Sequence, residues 1–183
     1  MYKLGHEVEG EVVEHTHAPI FQRIATNGGG ERLVAGVSKD GADLLNALAT
    51  LLEGPFFILY VLHTPRGEGE PGRYQSTLVD HAELATFLER FSAFIAGDAR
   101  FDLWIHSPSD GGSLVLDRHN FLYAYGPLSA FASLLSQRRF QEGELARLEG
   151  HMHYYRPEFD EDARAMLSAF EWIQTALRPA DEQ

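Results

Sequence analysis

Nine histidines in a 183-residue chain without cysteine make imidazole the side chain to examine first, both as a metal ligand and as an acid or base near neutral pH. Two pairs, His15 with His17 and His151 with His153, have the spacing that puts both rings on one face of an extended strand. A pair supplies two corners of a metal site and needs a third ligand, for which His63, His106 and Asp117 are the candidates. Any extended His-X-His has this geometry, and no His-Glu-X-X-His motif occurs. Hydrogen-bonded structural histidine is therefore the default expectation, and no cofactor is expected.

His63 and His106 share a second pattern. Leu62-His63-Thr64-Pro65 and Ile105-His106-Ser107-Pro108 each read as a hydrophobic strand ended by proline, which has no N–H for the ladder. If the two strands run the same way, both loops open at one sheet edge, where ligand sites form. The two rings would then be an acid/base pair, with Asp110 or Asp117 as orienting carboxylate and Ser107 or Thr64 as nucleophile. The Gly-X-Ser-X-Gly motif of α/β-hydrolases is missing, and a histidine at a strand end also bonds loop backbone for purely structural reasons. A third grouping joins Asp110 and the turn residues Asp117, Arg118 and His119 to Tyr123 and Tyr125, and to Arg66, Arg73 and Tyr74. Tyrosine and arginine offer contact area with directional polar groups, so these residues are expected to form a recognition surface.

The elements that must position these residues follow from local pattern. Phe101–His106, Ser113–Asp117 and Phe121–Tyr125 are short β-prone runs separated by turn chemistry, an antiparallel meander around which the chain is organised. Residues 55–65 are apolar almost throughout and read as a central strand covered on both faces. Residues 7–17 alternate and read as one acidic edge strand. Residues 20–25 and 32–37 flank a glycine-rich turn, a hairpin in place of a phosphate loop because no helix follows it.

Helices are expected over 41–53, over 80–95 behind an Asp80/Glu83 capping arrangement, after Pro127, and after Pro157 as far as Ala176. Residues 66–73, rich in glycine and charge, are a candidate mobile flap over His63, with a solvated loop of no function as the default reading. Strands and helices mix without a βαβ repeat, so the expected fold class is α+β: one domain over 1–183, a largely antiparallel sheet covered by about four helices.

Composition narrows the function. With 27 acidic and 15 basic residues the formal charge is −12, which disfavours direct binding of nucleic acid and favours a basic protein partner. No 18-residue apolar run and no signal-peptide pattern is found, so neither membrane spanning nor secretion is expected, and a cysteine-free chain suits the cytoplasm. The expected function is a non-catalytic protein-binding module, of the antitoxin or immunity kind, that neutralises a basic partner. The alternative is a small histidine-based or metal-dependent hydrolase at the His63 and His106 loops. Self-association as a homo-oligomer through an apolar face of helix Asp160 to Ala176 is a third expectation.

Overall fold

A computed structural model describes residues 1–181. The chain opens with β1 (Leu4–Val8), β2 (Glu11–Glu14), β3 (Ile20–Ala25), β4 (Glu31–Gly36) and helix α1 (Gly41–Ala49). Then come β5 (Phe57–Leu62), β6 (Gly72–Gln75), α2 (His81–Arg90), α3 (Ser92–Gly97), β7 (Phe101–His106), β8 (Ser113–Leu116) and β9 (Phe121–Tyr125). The chain continues through α4 (Leu128–Gln137), β10 (Gln141–Glu142), β11 (His151–His153), α5 (Asp160–Leu167) and β12 (Ile173–Thr175).

Nine strands form one sheet in the order β10-β3-β4-β9-β8-β7-β5-β6-β12, and β11-β1-β2 form a second, three-stranded sheet. The fold is α+β as expected, and all the ladders are antiparallel except the short pairing of β10 with β3. The meander β7-β8-β9 occupies the middle of the large sheet, where its alternation sorts side chains cleanly. Phe101, Leu103, Ile105, Leu114, Leu116, Leu122 and Ala124 point into the hydrophobic core under the helices. Asp102, Trp104, Val115, Tyr123 and Tyr125 stand on the opposite face, where they line a cavity together with Ala180 and Asp181 of the C-terminal segment.

Asp80 caps α2 by accepting from the amides of Ala82 and Glu83, while Glu83 returns a carboxylate to the Asp80 amide. The expected long helix breaks at Phe91, and Phe91, Phe94 and Ile95 are all buried in the core.

Four expectations need correction. The acidic run is a hairpin and not one strand: Glu9 (φ 52°) and Gly10 (φ 85°) both take left-handed backbone between β1 and β2. The apolar strand β5 lies toward one side of the large sheet, and β8 takes the centre. The helix after Pro157 ends at Leu167; Trp172 turns in against Phe170 and Tyr60, and β12 pairs with the otherwise open edge of β6. The apolar helical face over 160–176 is therefore never formed. Finally, residues 66–73 are tied down, because Glu68 is buried against Arg100 and Glu70 accepts the Tyr74 hydroxyl.

No helix among the described residues is long and apolar enough to cross a membrane.

Candidate functional site

Strand direction separates the two histidine loops. β5 and β7 are antiparallel, with Leu62 opposite Phe101 and Phe57 opposite His106. His63 and His106 thus lie at opposite ends of the strands, about 20 Å apart at ~3.3 Å per residue. At the far end His106 Nδ1 meets the Ser113 hydroxyl at 2.9 Å, and the buried Ser107 hydroxyl donates to the Glu53 carbonyl. Asp110 accepts from the amides of Glu53 and Gly112. Burial works against the Asp110 carboxylate, yet these amides hold its pKa below the usual range. Ser107 and Asp110 hold loops together, and no acid/base pair joins His106 to His63.

At the near end His63 Nε2 lies 2.9 Å from Asp102 and 2.7 Å from Arg118 Nη1. Burial raises the Asp102 carboxyl, but the His63 ring and the Arg118 guanidinium outweigh it and keep the pKa low. Arg73 pairs with Asp181, Arg66 pairs with Asp160, and Tyr74 is a core residue. The expected recognition surface therefore divides: Arg66, Arg73 and Tyr74 serve the fold around β6 and the C-terminal segment, whereas Asp117, His119, Tyr123 and Tyr125 stay together.

Six of the seven remaining histidines converge, while His81 packs edge-on against Phe56. β1 pairs antiparallel with β11, with His6 opposite His151 and Leu4 opposite His153, so these side chains share one face of the small sheet. His15 follows β2 and donates its amide to the Leu4 carbonyl, which brings its ring to that face too. This face meets the turn between β8 and β9, where His119 projects. Six of the nine histidines, His6, His15, His17, His119, His151 and His153, line this seam.

At its centre His119, His151 and His153 can place one ring nitrogen each within 4.8 Å of the others, and their ring centroids are 4.8 to 5.1 Å apart. Asp117 shapes the turn that presents His119. Its Oδ1 accepts from the amides of His119 and Phe121, and its Oδ2 faces His119 Nδ1 at 3.4 Å. The Tyr155 hydroxyl stands 3.5 Å from His153 Nδ1, while His153 Nε2 is buried without a partner. His6 Nδ1 and His15 Nε2 are likewise buried and unpartnered.

Burial, reinforced by neighbouring rings, drives the His153 pKa down to about 4 and lowers those of His151 and His15 as well. The lowered values of His151 and His153 favour the neutral imidazole, which is the form that ligates a metal. A cavity of 510 Å³ opens beside it, lined by His119, His151, Asp117, Tyr123 and Arg32 among others. A second cavity of 240 Å³ continues across the same face of the sheet, sharing Arg32, Asp117 and Tyr123 and reaching Asp102 and Trp104.

Of the residues paired by spacing, His151 and His153 are in the centre, and His15 and His17 flank it. His17 Nε2 bonds the His119 carbonyl at 2.8 Å, and burial lowers its pKa. Spacing alone did not single out His119 as the third ligand, nor His6 at all. The short run Asp117 to Asn120 signalled the turn, but the strand that meets it comes about 30 residues later.

Lys3 is buried below this seam and donates to the Asp117 carbonyl at 3.2 Å. Burial lowers its pKa to about 8 against the pull of Asp117, Asp102 and Asp98. Because the folded value lies below the unfolded one, the unfolded chain binds more protons between them, and stability rises as pH climbs from about 8 to about 10.5. Chemical denaturation across this range should show a gain of up to about 3 kcal/mol that Lys3→Met removes.

No protein-family model, curated protein or solved structure matches this chain.

Proposed function

We propose that this chain is a metal-binding protein whose centre is His119, His151 and His153, with zinc as the ion that best suits a three-imidazole set. The observation that carries the reading is the convergence of three ligand nitrogens within 4.8 Å from two separate sheets. A tetrahedral ion holds nitrogens about 3.4 Å apart, a closure within reach of ring rotation. Asp117 at His119 Nδ1 is the carboxylate that fixes ring orientation in such sites. Three protein ligands leave a fourth position, and the 510 Å³ cavity gives a small molecule access to the centre. Zinc titration of the metal-free chain, followed by a competing chelator, tests this: one ion per chain is expected, and uptake that is absent or spread over several weak sites rules the centre out.

The protein-binding reading keeps one specific support. The β1-β2 hairpin exposes Val8, Val12 and Val13 beside Glu7, Glu9 and Glu11, and β2 pairs on one side only. An acidic, partly apolar edge suits a basic partner that adds a strand. Complex formation that weakens steeply as salt rises, and that fails with Val12→Glu, is the expected result; salt-independent association would count against it.

A further inference from the structure

The chain has nearly twice as many acidic as basic residues, yet several arginines form no ion pair among the described residues, and what marks one of them out is a buried N–H left without a partner. Arg32, on β4, is that residue. Its guanidinium lies over the Tyr123 ring at 4.9 Å and the Tyr125 ring at 5.9 Å, and Nη1 donates to the Tyr125 hydroxyl at 2.8 Å. It forms no ion pair among the described residues, and its Nε is buried without a partner. With Nη1 occupied and Nε shielded from water, Nη2 is the donor left for a ligand, and an oxyanion seated on it would also satisfy the Nε N–H beside it, in the fork that matches a carboxylate or phosphate.

The surroundings agree. Arg32 lines the same cavity as His119 and His151, and Arg147 adds a second cation at its wall. The acidic group there, Asp117, is already committed: it accepts two amides and faces the Tyr123 hydroxyl and the His119 ring. The tyrosine rings hold the guanidinium in place without neutralising it, so it is preorganised and charged at the wall of a solvent-open cavity.

We propose that this cavity binds a small molecule bearing an oxyanion, a carboxylate or phosphate group, on the Nε–Nη2 edge of Arg32. The position of the ligand's other end, beside the three-histidine ion, rests on the metal-centre reading; the oxyanion site itself does not.

Succinate and inorganic phosphate serve as probes, each titrated calorimetrically into the metal-free and zinc-supplemented full chain. One-to-one saturable binding of at least one probe is expected, weakened at least about tenfold in Arg32→Gln, as when a charge-assisted pair is lost. Zinc uptake by that variant should match the parent chain. If Arg32→Gln loses its fold by thermal melting, Arg32→Lys retains the charge but not the fork and should still weaken succinate. Binding of neither probe, or equal binding by parent and variants, overturns the proposal. If the chain takes up no zinc, the metal reading falls and the metal-free titration still decides the Arg32 site. A probe that binds only when zinc is present, and equally well to the variants, sits on the ion and also overturns it.

Discussion

His153→Ala is expected to weaken zinc binding at least about a hundredfold while leaving the chain folded. Structural zinc sites of four ligands are worth about 10–16 kcal/mol, or roughly 3 per ligand, and about 1.4 kcal/mol is a factor of ten. His153 is the most informative of the three positions because its Nε2 is buried without a partner, so its loss breaks no strong hydrogen bond of the fold. Removing this ring costs packing and the long contact with the Tyr155 hydroxyl. His119→Ala and His151→Ala should fall in the same range. Asp117→Asn, which leaves the ligands in place but loosens the His119 ring, should cost about 10–100-fold. His106→Ala, at the far end of the large sheet, should change nothing.

Zinc should also raise the melting temperature, because the ion would join the small sheet to the β8-β9 turn; at a free concentration of 100 times Kd the gain is about 2.7 kcal/mol. Chelator competition gives the affinities and a thermal melt gives the coupling. If the three variants bind as well as the parent, or if His106→Ala is as damaging, the centre lies elsewhere.

This pattern also explains which part of the site could be read from residue order. A capping box, a glycine-rich hairpin and a meander are set by neighbours within a few positions, and Asp80, the 26–30 turn and the runs from Phe101 to Tyr125 behave as their local chemistry requires. The spacing of His151 and His153 was likewise visible. What joins them to His119 is the antiparallel pairing of β1 with β11, strands separated by more than 140 positions, and nothing local encodes that register. The same limit governs His63 and His106. Identical strand-end patterns carry no information on strand direction, and antiparallel pairing sends them to opposite ends.

Glu9-Gly10 was a missed local signal: a glycine inside an alternating run marks a tight turn as readily as it marks a strand. For Ile173 the spacing pointed to helix, and a tertiary demand prevailed. An open edge on β6 and a place for Trp172 against Tyr60 favoured a strand there.

Arg100→Met is expected to destabilise the protein by about 3–5 kcal/mol, the cost of leaving buried carboxylates without their cation. The Arg100 side chain is fully buried. It donates through Nε and Nη2 to the two oxygens of Asp98 at 2.9 Å each, through Nη1 to Glu68 at 3.0 Å, and through Nη2 to Asp160 at 3.1 Å and to the Arg156 carbonyl at 3.0 Å. Its ring-facing side lies 5.4 Å from the Phe94 centroid. Burial favours neutral Asp160, and the hydrogen bonds from Arg100 and Arg66 reverse that and lower its pKa.

One guanidinium therefore holds four segments: the 66–73 loop through Glu68, the end of α3 through Asp98, the chain after β11 through Arg156, and the start of α5 through Asp160. Because β11 carries His151 and His153, the same anchor keeps the histidine seam in register. Methionine keeps much of the volume, so a loss caused by packing alone would be small, whereas a loss caused by stranded charge should be largely recovered when Asp98→Asn and Glu68→Gln are added. Guanidinium chloride denaturation of the single and triple variants separates the two. A midpoint that drops in the single variant and returns in the triple, at constant m, identifies the charge. A triple variant no more stable than the single one would mean that the forked geometry of Arg100, and not neutralisation, holds these segments together.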